Sequence, residues 1–310
     1  MSSYHTPVLL NEVISGLNIK SNGIYVDGTV GGGGHSREIF KLLDKNGLLI
    51  CNDIDIEAIE EAKREIPSSK NIIYINDNYK NLVSNLHNLN IEKVDGVLLD
   101  LGVSSHQIDD AARGFSYMID APLDMRMSKD TDITAYDVVN GYSYEELVEI
   151  LFSYGEEKYS RFIAKQIIKS REINPIKTTT ELADITKKAY QIKNNYGSGH
   201  PAKKTFQAIR IEVNKELEKL SECIVSLTRL LKRGGRICII SFHSLEDRIV
   251  KQTFVELEKS CICDKMSPIC TCNKKSEIEI LTKKPLTASA KEIENNSRSK
   301  SAKLRIAQKK

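Results

Sequence analysis

Tyr25-Val26-Asp27-Gly28-Thr29-Val30-Gly31-Gly32-Gly33-Gly34-His35-Ser36 runs from an apolar segment through an acid into four consecutive glycines. Ile24, Tyr25 and Val26 have the composition of a buried strand end. The glycines let the backbone turn sharply, with no Cβ atoms in the way of an approaching ligand. A helix is expected from about Ser36. Strand, glycine turn and helix start form the first unit of a doubly wound α/β sheet, in which backbone N–H groups and a helix N-terminus face the ligand.

The dinucleotide fingerprint G-x-G-x-x-G is incomplete, because Gly31-x-Gly33-x-x-Ser36 lacks its last glycine. What remains is Asp27 at a strand end, the glycine loop, and Asp53 closing the next apolar run, Leu48-Leu49-Ile50-Cys51. An acid there suits the ribose hydroxyls of an adenosine cofactor, and S-adenosylmethionine carries such a ribose with no pyrophosphate to cradle.

Downstream, Ile72-Ile73-Tyr74-Ile75 reads as a third strand, followed by a loop in which Tyr79 either stacks on an adenine or packs in the core. Val94 to Asp100 is a fourth strand with an acid at its tip, opposite the glycine loop across the switch point of the sheet, which makes Asp100 the leading catalytic candidate. From Arg113 the pattern turns loop-like and then helical over 144–154, 158–172 and 180–190, with no strand pattern between. The predicted organisation is a discontinuous sheet domain, 1–112 and 206–310, interrupted by an all-helical insertion, 113–205, assigned to substrate recognition. Apolar spacing from Phe206 to Leu231 predicts one long helix over 203–232, ended by Gly234-Gly235. A fifth strand, Arg236 to Ile240, then leads into Ser241-Phe242-His243-Ser244, where His243 is either a general base or a structural hydrogen-bonding group.

Composition bounds the rest. The 310 residues carry a formal charge of +3. The stretch 295–310 holds Arg298, Lys300, Lys303, Arg305, Lys309 and Lys310 with no acid, so the remainder is net acidic. That tail reads as a phosphate-binding arm or a solvated end. No apolar run approaches the ~20 residues of a membrane span, and Met1 to Thr6 has no basic segment before an apolar stretch, so no secretory signal is expected. Seven cysteines, an odd number with three scattered singly, suit a reducing cytoplasm better than a disulfide framework. Cys261-x-Cys263 and Cys270-x-Cys272 could offer four thiolates to zinc; the usual spacing is C-x-x-C, and free thiols are the alternative. No metal is assigned to the catalytic site.

Seven motifs, in order, carry a resemblance: His5-Thr6-Pro7-Val8-Leu9-Leu10; the Asp27 to Ser36 loop; Asp100-Leu101-Gly102-Val103-Ser104-Ser105; Pro122-Leu123-Asp124-Met125-Arg126-Met127; His200-Pro201-Ala202 with Thr205-Phe206-Gln207-Ala208; Ser241 to Arg248; and Ser301-Ala302-Lys303-Leu304-Arg305. Nearly end to end, the chain resembles the RsmH family, also called MraW. These are bacterial enzymes that methylate the exocyclic amine of a cytidine at position 1402 of 16S ribosomal RNA. The resemblance implies a class I, Rossmann-like S-adenosylmethionine-dependent methyltransferase sheet, an assembled small ribosomal subunit as substrate, and a cytoplasmic location. It also implies that Gly33, Gly34 and His35 contact the cofactor, with Asp53 on its ribose, Tyr79 near the adenine, and Asp100 and Gln107 closing the site. His106 stands where the family usually has proline, and Tyr79 where phenylalanine is common. A homodimer is left open.

Three other classes account for fewer residues. A DNA amino-methyltransferase would carry Pro-Pro and an aromatic after its strand-four acid, Ser or Asn, which Asp100-Leu101-Gly102-Val103 does not. A non-catalytic RNA-binding module leaves the glycine loop unexplained, and a nicotinamide oxidoreductase is disfavoured by the missing glycine.

Overall fold

The computed structural model describes residues 7–192, 199–264 and 271–310. His5, Thr6 and Cys270, singled out from the sequence, lie outside these. The chain divides into two compact units, Met1–Gly102 with Lys219–Lys310, and Val103–Glu218. The helical unit thus reaches further in both directions than 113–205.

The first unit opens with α1 (Leu10–Leu17), β1 (Ile24–Asp27), α2 (Gly34–Lys41), β2 (Leu48–Asp53), α3 (Ile56–Glu65), β3 (Ile72–Asn76), α4 (Leu82–Asn88) and β4 (Val94–Asp100). The second unit holds α5 (Ser105–Asp109), α6 (Ala135–Gly141), α7 (Tyr144–Ser153), α8 (Ser160–Arg171), α9 (Thr179–Ile192) and α10 (Ala202–Asn214). The chain returns to the first unit through α11 (Leu220–Leu230), β5 (Leu231–Ser241), α12 (Ser244–Glu258), β6 (Ile278–Ile280), α13 (Ala290–Asn295) and β7 (Lys303–Lys309).

Among the described residues the sheet has seven strands in the order β3-β2-β1-β4-β5-β7-β6. β1 to β5 are parallel, while β7 runs antiparallel between β5 and β6. Alternation along each strand feeds two cores. Val26, Ile50, Val97, Leu99, Ile237 and Ile239 face one side, with residues of α4, α11 and α12. Tyr25, Leu49, Cys51, Leu98, Cys238 and Ile240 face the other, with residues of α1, α2 and α3. Both faces are covered, which is why the parallel strands read as continuous apolar runs. This is the α/β sheet with a helical insertion that the sequence predicts.

The long helix over 203–232 does not form. It breaks after Asn214, where Lys215 and Lys219 take left-handed backbone angles, φ 51° and 56°, and the chain passes from one unit to the other. Apolar periodicity continued across the break because each half buries its own stripe, α10 in the helical unit and α11 under the sheet. In the helical unit the turn is held by the bidentate pair of Arg210 with Glu216, 2.8 and 2.9 Å, and by Asn214, which donates to Met125 O and accepts from Met127 N–H. Nor does the glycine pair end α11. Gly234 and Gly235 lie inside β5, at an irregularity in its pairing with β4.

The basic tail is also not a free arm. Lys303–Lys309 is a central strand, β7, with Leu304, Arg305, Ile306 and Ala307 buried. Arg305 Nε donates to Asp247 Oδ1 at 2.6 Å, Lys303 pairs with the same carboxylate, and Lys309 pairs with Glu277. Charged residues masked the strand, because their partners come from α12 and the β6 segment, which local sequence does not reveal. Leu304 is fully buried, so Leu304→Ala is expected to destabilise the protein by about 2–5 kcal/mol in urea unfolding. A change below ~0.5 kcal/mol would mean the strand does not pack as described.

The helical unit has its own core, built on Leu123, Met125, Val138, Leu147, Ile163, Leu182 and Phe206. Its Pro122 to Met127 segment is locked rather than loose. Asp124 takes Arg126 Nε and a second guanidinium nitrogen, both at 2.9 Å, and Arg113 donates to Arg126 O and Met127 O.

Candidate active site at the carboxyl ends of the parallel strands

β1, β2, β4 and β5 run in parallel, so their last residues, Asp27, Asp53, Asp100 and Ser241, emerge at one edge of the sheet. Strand order reverses between β1 and β4, and at such a reversal the connections diverge and leave a crevice.

The glycine loop lines that edge. Gly28 N–H donates to Leu98 O and Val30 N–H to Asn52 O, which ties the loop across β4 and β2. Gly33 sits at φ 78° and caps α2, so the helix starts at Gly34, two residues before the sequence expectation. A Cβ on Gly34 would lie 2.4 Å from Pro7 Cγ. No residue but glycine satisfies both positions without strain.

The acids are held by this loop. Asp53 Oδ2 accepts from Gly31 N–H at 2.9 Å, and Oδ1 from Asp55 N–H at 2.9 Å. Asp27 accepts from Ser36 Oγ at 2.7 Å and Thr29 N–H at 3.2 Å. Burial pushes both carboxyls up, to about 6. Asp100 is raised well above the ordinary carboxylate value, first by burial and then by the charges of Asp27 and Glu246. Its backbone N–H donates to Thr29 Oγ1 at 2.6 Å, which fixes the strand end. Its Oδ1 is buried and has no hydrogen-bond partner among the described residues.

A carboxyl raised on folding contributes stability that is complete below its unfolded pKa and lost as pH rises through the folded one. Asp27 and Asp53 therefore make the unliganded protein more stable at pH 5 than at pH 7.5, by about 1 kcal/mol each. In urea melts, Asp27→Asn should shrink that difference by the Asp27 share; an unchanged profile would contradict the assignment.

His35 is buried, and its Nε2 lies 2.9 Å from Val8 O. Burial lowers its pKa to about 4, so at neutral pH the ring is uncharged and Nε2–H donates to that carbonyl. Nδ1 then presents a lone pair toward Asp100 Oδ2, 3.8 Å away, and the pair is not an ion pair. Tyr79 is half-buried in a short 3₁₀ turn and packs against the core beside α11, where Cys223 Sγ donates to its carbonyl at 3.6 Å. Gln107 lies in α5 of the helical unit, where its Oε1 accepts from Ser104 N–H in a capping box. His243 caps α12 through Nδ1 and lies beside Glu246, which supports the structural role.

Gly33, Gly34, His35, Asp53 and Asp100 thus come together on one edge. Two residues not singled out from the sequence belong with them. Thr29 anchors Asp100, and Asn52, fully buried, donates to Gly28 O and Asp77 O while its Oδ1 lacks a partner among the described residues. A polar residue closing the apolar run Leu48 to Cys51 was the available signal for Asn52.

The family model described as the MraW methylase family matches residues 2–310. The chain is 55% identical over 309 residues to ribosomal RNA small subunit methyltransferase H of Clostridium botulinum (strain Kyoto / Type A2), covering 100% of both chains. The correspondingly named proteins of Finegoldia magna and Clostridioides difficile are 53% and 52% identical; each match covers 100% of this chain, and 99% and 100% of theirs, respectively. No helix among the described residues is long and apolar enough to cross a membrane. With the glycine loop, the three strand-end acids and a likeness that spans the sequence, this chain belongs to the MraW methylase family.

Proposed function

We propose that the protein methylates the exocyclic 4-amino group of a cytidine in the RNA of the small ribosomal subunit, at position 1402 in the decoding region of 16S rRNA, within the bacterial cytoplasm. The cofactor is S-adenosylmethionine, which when bound supplies an electrophilic methyl group on a sulfonium. The residues present fit it. Gly32 leaves open space beside the glycine turn that leads into α2, Asp53 is a carboxylate held at the end of β2, and Asn52 and Asp100 offer unpartnered buried oxygens at the same edge.

Asp100 carries the reading. A cytosine amine is a poor nucleophile because its lone pair is delocalised into the ring, so the enzyme gains most by orienting it. Asp100 Oδ1 is an acceptor with nothing to accept, on a backbone fixed by Thr29. An amine N–H would satisfy it and leave the nitrogen lone pair directed away from the carboxylate. The bound cofactor would supply the methyl group, and the Asp100 carboxylate would stabilise the positive charge that the amine nitrogen gains on accepting it. The surplus N–H proton then passes to Asp100, whose raised pKa suits it as acceptor. Neutral His35 faces the other oxygen and adds no competing positive charge.

The helical unit is the proposed RNA-recognition element. α7 and α8 carry exposed Phe152 and Phe162 together with exposed Arg161 and Lys165, the aromatic and basic mixture that binds unstacked bases and phosphates.

The test is methyl transfer from labelled S-adenosylmethionine to small subunits isolated from cells lacking this modification, with the nucleoside identified by mass spectrometry. Label in 4-methylcytidine at the decoding region is expected. Label in another nucleoside would overturn the substrate, and no cofactor binding would overturn the reading of the loop.

A further inference from the structure

Three cysteine sulfurs converge in the connection between α12 and β6, on the far side of the sheet order from the glycine loop. Cys272 Sγ lies 3.7 Å from Cys261 Sγ, and the sulfurs of Cys261, Cys263 and Cys272 all lie within 4.8 Å of one another. A disulfide bond is about 2.05 Å long, so these contacts are not bonds. Sulfurs placed tetrahedrally at about 2.3 Å around one zinc ion stand about 3.8 Å apart, which the Cys261–Cys272 separation matches.

The backbone is arranged to the same end. Ile262 N–H donates to Cys272 Sγ, Cys263 N–H to Cys261 Sγ and Thr271 N–H to Cys263 Sγ, each at 3.4 Å. Such donors spread the negative charge of thiolates and orient them, as outer-shell groups do around a metal. Burial does not account for the convergence, since Cys261 is exposed and Ile262 is 63% exposed. The segment is instead fastened around the cluster: Lys274 Nζ donates to Glu256 O, and Glu277 N–H to Leu257 O. Lys259, Lys274 and Lys275 place positive charge in the same stretch of sequence.

We propose that Cys261, Cys263 and Cys272 are thiolate ligands of a structural zinc ion that closes this connection beside edge strand β6. Ligands drawn from both ends of the connection would tie it together where burial of these side chains does not, since Cys261 and Ile262 are exposed. The site is separate from the methyl-transfer edge and stands whether or not Asp100 has the role given above.

The experiment uses the full-length protein, purified under reducing conditions without chelator. About one zinc per chain is expected by elemental mass spectrometry. A mercurial thiol reagent should release it to a chromophoric chelator. Cobalt(II) substitution should give the thiolate charge-transfer and tetrahedral ligand-field absorption of a sulfur site. Cys263→Ser and Cys272→Ser should each lower zinc affinity by about tenfold or more, while S-adenosylmethionine binding, read by calorimetry, reports that the sheet remains folded. If those variants do not fold, the cobalt spectrum of the wild-type chain decides. Zinc below about 0.1 per chain after reconstitution, a cobalt spectrum without sulfur charge transfer, or full zinc retention in Cys263→Ser would each overturn the proposal. Thiol titration showing a disulfide in place of reactive thiols in the reduced preparation would do the same.

Discussion

Asp100→Ala is expected to lower the turnover of methyl transfer by about 10²–10³-fold, with cofactor affinity falling far less. The variant removes the unpartnered acceptor Oδ1 but leaves the Thr29 bond to the backbone of residue 100, so the edge keeps its shape. The loss therefore falls on orientation of the amine and on charge that exists only in the transition state, which appears in kcat more than in binding. Asp100→Asn keeps volume and one acceptor but cannot take a proton, and should recover only part of the rate. The sign of the pH dependence follows. The carboxylate is the active form, and burial beside Asp27 and Glu246 raises its pKa, so wild-type activity should fall on acidification at a pH well above the usual carboxylate range. Single-turnover rates for wild type and both variants across pH 5–9, with cofactor affinity measured in parallel, provide the check. Near-normal turnover in the alanine variant would remove Asp100 from the mechanism.

Gly33→Val should cost both fold and cofactor. Gly33 sits at φ 78°, where a β-branched residue is strained by about 1–3 kcal/mol, and its Cβ would lie 3.2 Å from the Ala62 backbone. Relief of that strain must move the loop that sets the first turn of α2 and the Gly31 bond to Asp53, so cofactor affinity should fall by more than about tenfold. Gly32→Ala is the matched control. Nothing lies within 4 Å of a Cβ there, and the fold should tolerate it. Thermal melts report the fold and calorimetry the cofactor. A Gly33 variant that binds cofactor normally would show that the loop does not form the cradle.

The first strands, the glycine turn and the acid at the tip of β4 were legible because each is local. An apolar run ending in an acid, and glycines where side chains do not fit, say where a strand stops and where a ligand can approach. The acids Asp27, Asp53 and Asp100 stand at the ends of their own strands, so their position follows as soon as the strands are seen to be parallel. The helical insertion was visible as an absence of strand alternation. The break at Lys215 was not, because apolar spacing that serves two separate cores looks continuous in one dimension.

Sequence by itself determined the class of sheet, the family, and the acids and glycines of the cofactor edge, since these rest on strand periodicity and on residues no other type can replace. Tertiary structure alone decided three further things. Lys303–Lys309 became an inner strand because Asp247 and Glu277, distant in sequence, neutralise its charges and let Leu304 and Ile306 be buried. Asp100 acquired a raised pKa because folding desolvates its carboxyl and brings the charges of Asp27 and Glu246, from different parts of the chain, near it. The thiols of Cys261 and Cys272, eleven positions apart, came to 3.7 Å because chain folding, not spacing, sets the distance between side chains. Periodicity is a property of single elements; charge neutralisation, desolvation and convergence belong to the assembly of several, and they appear only when the chain has closed on itself.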